Sequence, residues 1–246
     1  MRALLFSLAC FVTIGLNAQL DFKKISDSSY VFTTYQVYKE VRISSHGLLK
    51  ITSGGVVMID TPWDTTQFQP LLDSIDRKFH KKVLLVISTH WHEDRTAGLD
   101  YYRNKGIATY STYATKNLCR ENNFPQAEFT FEGDTTFNVF NTVFETYYPG
   151  AGHSSDNIVV YFPKDRLLVG GCFIKSVEAK DLGNLSDANI GMWRVAVKTL
   201  MKKYPKVKTV IPGHQKIAGK SALKHTLKLA NEKYKGRKQD KKKAKH

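Results

Sequence analysis

Four strand-like runs in this chain each stop at a short turn that carries a histidine or a cysteine. Val83-Leu84-Leu85-Val86-Ile87 leads into Ser88-Thr89-His90-Trp91-His92-Glu93-Asp94-Arg95. A strand near 143–147 leads into Pro149-Gly150-Ala151-Gly152-His153. Leu167-Leu168-Val169-Gly170-Gly171 ends on Cys172, and Val207–Ile211 ends on Pro212-Gly213-His214. Loops at strand ends can aim side chains without disturbing a core, and glycine lets the backbone turn sharply before the next side chain. A fold for this chain therefore has to bring several strand ends to one edge.

The remaining periodicity narrows the architecture. Val56-Val57-Met58-Ile59 is a continuous apolar run that stops at Asp60, and Phe68, Leu71, Leu72, Ile75 and Phe79 recur at the spacing of an amphipathic helix over roughly 65–79. Further helices are expected near 96–105 and 112–122, and further strands near 137–140, 158–162 and 167–170. Trp193, Val197, Leu200, Met201 and Tyr204 mark a helix over 188–203, and Leu223, Leu227, Ala230 and Tyr234 mark a last one. Strands dominate each half and helices close each half. The simplest packing is an α/β four-layer αββα sandwich, two sheets face to face with helices outside, in a single domain over 19–234. With 246 residues, 42% of them hydrophobic, the chain can bury such a core without disulfide staples.

The two ends read differently. Residues 1–18 hold Arg2, an apolar run from Ala3 to Leu16, and small Ala18, the layout of a secretory signal cleaved after Ala18. The run is too short for a stable membrane span, and Cys10 lies too early in it to be read first as a lipoprotein anchor. The mature chain is thus expected in the periplasm, where a disulfide has to be considered. At the other end, residues 235–246 hold seven Lys/Arg and one Asp, a large part of the net charge of +15. Such a run reads as a solvated, disordered tail. No helix-turn-helix, finger or RRM signature supports nucleic-acid binding, and nothing demands more than a monomer.

Chemistry concentrates in the four turns. His90, His92 and Asp94 occupy alternate positions, so they share a face in an extended stretch and can also converge in a tight loop. Taken alone, His214 would be a hydrogen-bonded polar residue and Cys172 a small buried hydrophobe. Taken together, His90, His92, Asp94, His153, Cys172 and His214 form a set of borderline ligands that suits Zn²⁺. Six ligands exceed one tetrahedral zinc and suffice for two, each with three protein ligands and an open position. His46, His80, His225 and His246 lack the strand-and-glycine context and read as surface or tail residues. Cys119, in a helical stretch, reads as half-buried packing, and a metal-held Cys172 would not be free to pair with it.

In these motifs the sequence resembles the metallo-β-lactamase superfamily, and within it the subclass B1 β-lactamases, over roughly residues 20–234. HWHEDR (90–95) resembles HxHxDR, GHSSDN (152–157) resembles GH(S/T)xDN, GGCFIKS (170–176) resembles GGCxxK, LGNLSDA (182–188) resembles GNxxDA, and PGHQ (212–215) matches the last histidine motif. The resemblance implies a zinc hydrolase that opens β-lactam antibiotics with a metal-activated hydroxide, with broad scope that includes carbapenems, and so confers resistance. It implies that His90, His92 and His153 hold one zinc and that Asp94, Cys172 and His214 hold the other. It implies that Lys175 meets the substrate carboxylate, that Asn184 assists at the carbonyl oxygen, and that Asp94 orients the water. Glyoxalase-like, lactonase, RNase-Z-like and subclass B3 relatives place a second histidine after the aspartate; here Arg95 stands there and Cys172 supplies a thiolate instead. The intact His90 separates the chain from subclass B2. Three positions depart from the family pattern. Ala97 replaces a frequent glycine, His46 stands near a usual asparagine, and Tyr35–His46, where the family has a flexible hairpin, is unusually charged at Lys39, Glu40 and Arg42.

Overall fold

The computed structural model describes residues 20–243. The signal segment 1–18 with Cys10, and His246, lie outside the described residues. The first sheet takes seven strands in chain order: β1 (Asp21–Ser26), β2 (Ser29–Tyr38), β3 (Val41–Ile51), β4 (Val56–Ile59), β5 (Val83–Ile87), β6 (Ala108–Thr112) and β7 (Phe129–Phe131). The second takes five, β8 (Thr135–Val139), β9 (Thr142–Tyr147), β10 (Val159–Phe162), β11 (Leu167–Gly171) and β12 (Thr209–Pro212), arranged β12-β11-β10-β9-β8. Helices α1 (Phe68–Phe79), α2 (Glu93–Thr96), α3 (Leu99–Asn104) and α4 (Tyr113–Glu121) accompany the first sheet, and α5 (Ile190–Lys203) and α6 (Lys220–Lys243) the second.

The continuous apolar runs are explained by burial on both faces. Side chains alternate across a strand. In the first sheet Val31, Leu48, Val57, Ile59, Leu85 and Ile87 point between the sheets, while Phe32, Leu49, Met58 and Val86 point outward onto Leu71 and Ile75 of α1 and Leu99 and Tyr102 of α3. In the second sheet Val160, Phe162, Leu167, Val169 and Ile211 point inward, and Val159, Tyr161, Leu168 and Val210 point outward onto Trp193, Val197 and Leu200 of α5 and Leu223 and Ala230 of α6. The result is the αββα sandwich.

Local structure departs from the periodicity in a few places, each with a cause. The expected helix over 65–79 begins as a short 3-10 turn, Thr65–Gln67, capped by the Asp64 carboxylate, which accepts from the Thr66 amide at 2.9 Å. The helix expected near 96–105 is broken into α2 and α3 at Gly98. That residue's amide donates to Thr61 Oγ1 at 3.1 Å, and a Cβ there would come within 2.7 Å of Tyr102. Ala97 caps α2 with ordinary helical dihedrals, so no glycine is required. The charged stretch over 35–46 is the tip of the β2–β3 hairpin, turning on Lys39 and Glu40, both at positive φ (49° and 64°). This is the tight-hairpin conformation that Asn-Gly usually advertises, so Lys-Glu hides it. The expected mobile tail is also revised: α6 runs on through 235–243 as one helix of 24 residues, because Lys, Gln and Arg are good helix formers.

The inter-sheet core has a measurable centre at Phe144, which is fully buried and stacked on Phe137 at 5.0 Å and near Phe162 at 5.2 Å. Phe144→Ala should cost about 3–5 kcal/mol in urea unfolding; a loss of about 1 kcal/mol or less would show that the sheets close around the gap.

Candidate metal centre

Each of the four turns is built to present its side chain at the same edge of the sandwich. After β5, the Thr89 amide and hydroxyl both donate to the Asp60 carboxylate at 2.8 and 3.1 Å. His92 is extended (φ −66°, ψ 152°) and α2 begins directly after it, so Asp94 falls in the first helical turn. The tight loop, rather than an extended strand, brings His90, His92 and Asp94 together. Beyond β9 a Cβ on Gly152 would sit 2.5 Å from the Phe173 ring, so only glycine lets the His153 loop pack there. Gly171 turns the end of β11 at φ +51°. Gly213 passes so close to the site that a Cβ would lie 2.6 Å from Arg95 Nη2 and 2.8 Å from Cys172 Sγ.

Two groups of donor atoms result. His92 Nδ1 lies 3.1 Å from His90 Nε2 and 3.0 Å from His153 Nε2. Cys172 Sγ lies 3.1 Å from Asp94 Oδ2 and 3.2 Å from His214 Nε2, and these last two are 3.2 Å apart. The Asp94 Oδ1 atom, 4.0 Å from His90 Nε2, bridges the groups. Ligands bonded at about 2.0–2.3 Å around a tetrahedral zinc are themselves roughly 3.3 Å apart, and the spacings of 3.0–3.2 Å within the two groups are close to that. Three overlapping groups, Asp94–Cys172–His214, His90–His92–Asp94 and His90–His153–Cys172, each gather their donors within 4.8 Å.

The surroundings select which nitrogen faces inward. His92 Nε2 pairs with Asp187 Oδ2 at 2.9 Å, which turns Nδ1 to the centre. His214 Nδ1 donates to the Ser44 carbonyl at 2.6 Å, which turns Nε2 inward. Burial, reinforced by neighbouring cationic groups, holds His90 and His153 well below the ordinary histidine range, hence neutral as ligation requires. Burial opposes charge on His214 too, but the neighbouring Cys172 and Asp94, and its hydrogen bonds to them, carry its pKa up to about 9.

Arg95 sits beneath the second group, fully buried. Its Nη2 reaches Asp94 Oδ2 at 2.9 Å, Gly213 O at 3.0 Å and Cys172 Sγ at 3.1 Å; its Nη1 donates to the His46 carbonyl at 2.6 Å and faces Asp60 Oδ2 at 3.4 Å. Burial pushes the Asp94 carboxyl up, and Arg95 and His214 overcome it and hold it well below the usual range. Asp60, also buried, is pushed up to about 6 against the pull of Arg95. His46 is not a surface residue. It is buried, with Nδ1 3.0 Å from Thr33 Oγ1 and Nε2 bonded to the Gln215 carbonyl. His225 is half-buried, 2.8 Å from the Ala179 carbonyl, while His80 is exposed at the end of α1. Cys119 is fully buried under Trp91, and both it and Cys172 are free thiols.

Above the donors lies a cleft of about 460 Å³. Tyr38 and Trp63, with rings 5.8 Å apart, form one wall; Trp91 stacked on Phe124 at 5.5 Å forms the other. Lys175 closes one end, its ammonium 5.4 Å over the Trp193 ring and without an ion pair among the described residues; burial lowers its pKa. Asn184 lines the same end, its Oδ1 turned to the Ser186 amide at 3.1 Å. The roles of Asp60, Ser44, Trp63 and Asp187 escaped the sequence reading. Asp60 gave a signal as the charge that stops an apolar run, and Asp187 stood inside the LGNLSDA motif without a role assigned to it.

Comparison with known proteins agrees with this geometry. Residues 41–214 match the model of the metallo-β-lactamase superfamily. The chain is 41% identical over 224 residues to a metallo-β-lactamase type 2 of Elizabethkingia meningoseptica, covering 89% of this chain and 90% of that protein. It is 34% identical to metallo-β-lactamase IND-1 of Chryseobacterium indologenes, covering 85% and 87%. A solved metallo-β-lactamase from Pontibacter korlensis superposes with a TM-score of 0.84 at 38% identity, covering 87% of this chain and 99% of that one. The chain belongs to the metallo-β-lactamase superfamily, a class of metal-dependent hydrolases. Within it, the Asp94–Cys172–His214 group with Arg95 after the aspartate is that of a subclass B1 enzyme.

Arg95 offsets two buried carboxylates at once, so Arg95→Met should destabilise the chelator-treated protein by about 3–5 kcal/mol in urea unfolding. Unchanged stability would mean that the carboxylates are neutral without it.

Proposed function

We propose that the protein is an exported, monomeric periplasmic β-lactamase that uses two zinc ions to hydrolyse the amide bond of β-lactam antibiotics, carbapenems included, and so confers resistance. The observation that carries this reading is a pair of three-donor groups at the floor of one cleft whose end holds an unpaired ammonium. His90, His92 and His153 would hold the first zinc, and Asp94, Cys172 and His214 the second. Zinc bound there supplies a Lewis acid and lowers the pKa of a coordinated water to about 7.

The chain's own residues do the rest. Lys175 offers a point charge for the substrate carboxylate. Asn184 can turn its amide nitrogen to the carbonyl oxygen as negative charge develops on it. Asp94, with Oδ2 in the second group and Oδ1 toward the first, is placed to orient the attacking water by accepting its hydrogen bond at Oδ1. The aromatic walls cover the apolar parts of the substrate and exclude water. No nucleophilic side chain is required. The single positive site at the cleft end suits a monoanionic ring carboxylate, and the open walls suit varied substituents, which supports broad scope.

Purified protein should hydrolyse a carbapenem and a cephalosporin, followed by ultraviolet absorbance, and EDTA should abolish both activities; no turnover by the zinc-loaded protein would refute the reading. Lys175→Ala should raise KM roughly tenfold with kcat within about twofold, because the carboxylate contact is made in ground and transition states alike. Cys172→Ser should leave one tightly held zinc after dialysis; two retained zincs would take Cys172 out of the ligand set.

A further inference from the structure

The outer helical layer of the second sheet carries a charge pattern that the site does not use. Lys220, Lys224, Lys228, Lys235 and Lys238 of α6 are all exposed. Their spacings of four, four, seven and three residues keep them on one stripe of a helix with about 3.6 residues per turn, roughly 27 Å long. Asn231 fills the gap in the stripe. Glu232, the only acid in 220–239, lies at its margin, 4.0 Å from Lys228 Nζ. Lys220 also donates to the Pro205 carbonyl, which leaves its charge in place.

The neighbouring helix extends the pattern. α5 packs beside α6 and contains no acidic residue. It exposes Lys198 and Lys202, and near its start Met192 (45%) and Val195 (44%). The two helices thus form a cationic face with two apolar side chains standing out of it, and none of these residues lines the cleft. Basic residues around exposed apolar ones on a helix surface suit the interface of an anionic bilayer. A single-stranded nucleic acid would want a free aromatic ring for stacking. Here Tyr234 is covered by the Arg194 guanidinium at 4.4 Å and the Lys238 ammonium at 5.0 Å.

We propose that the α5–α6 face is a docking surface for an anionic phospholipid bilayer, held by the α6 lysine stripe and by shallow burial of Met192 and Val195. The protein would lie on the membrane surface rather than cross it, in keeping with the absence, among the described residues, of a helix long and apolar enough to span.

The test is vesicle co-sedimentation of the full purified protein. Vesicles with about 30% phosphatidylglycerol at about 0.05 M salt should retain it, vesicles of phosphatidylcholine alone should not, and about 0.5 M salt should release it. Replacing the five α6 lysines by Gln should lower partitioning by about three-thousandfold, at about fivefold per lysine. Replacing Lys23, Lys24, Lys78, Lys82 and Lys105, exposed on the first-sheet side, should leave binding within about threefold. Circular dichroism checks folding, and Lys224→Glu with Lys228→Glu serves as a smaller variant with the same expected direction. No retention by anionic vesicles, equal loss from both lysine sets, or tighter binding to single-stranded DNA than to vesicles of equal phosphate content would each overturn the proposal.

Discussion

The buried guanidinium of Arg95 is the contact on which both the fold and the site depend. It reaches the His46 carbonyl on β3, Asp60 at the end of β4, Asp94 in α2, Cys172 beyond β11 and the Gly213 carbonyl beyond β12. Three of these partners belong to elements of the first sheet and two to the second. A buried cation is costly unless nearly every donor and neighbouring charge is answered. The two sheets therefore have to meet with these strand ends in one arrangement. Asp94 and Cys172, at the floor of the cleft, are held close by the same group.

Around that hub, hydrogen bonds outside the donor triplets decide orientation. Asp187 turns one histidine to present Nδ1, and the Ser44 carbonyl turns another to present Nε2. Both partners lie far from their histidines in sequence, one in the loop before α5 and one in the β2–β3 hairpin. The imidazoles of His90 and His153 are kept neutral chiefly by burial, whereas His214 is drawn upward by the negative charges it faces. One half of the floor thus suits a neutral donor set and the other an anionic one. That asymmetry gives two neighbouring positions different electrostatics within a single cleft.

The sandwich separates two surfaces with different chemistry. Strands buried on both faces leave only their ends for function, so the cleft sits at the edge, between aromatic walls. The helices that cover the second sheet need apolar residues on their inner side alone. Their outer side is free to vary, and in this chain it is lysine-rich.

The sequence by itself determined the layers and the donor residues. Runs such as Val83–Ile87 and Leu167–Gly171 read as strands buried on both sides from their length and branching, and the HxHxD, Gly-Gly-Cys and Pro-Gly-His turns name candidate donors only in combination, since each residue alone has an ordinary structural role. Weak local signals hid other elements. The β2–β3 hairpin turns on Lys39-Glu40, and the short edge strand β7 has only three residues. The continuation of α6 through 235–243 was masked by a charge run that reads as disorder. Tertiary structure alone decided how close the donors come, the choice of histidine nitrogen and the parts played by Arg95, Asp60, Asp187 and the buried His46. Each depends on contacts between residues tens to more than a hundred positions apart, and such contacts leave no periodicity in the chain. Their energies exist only once burial has removed the water that would otherwise satisfy those groups.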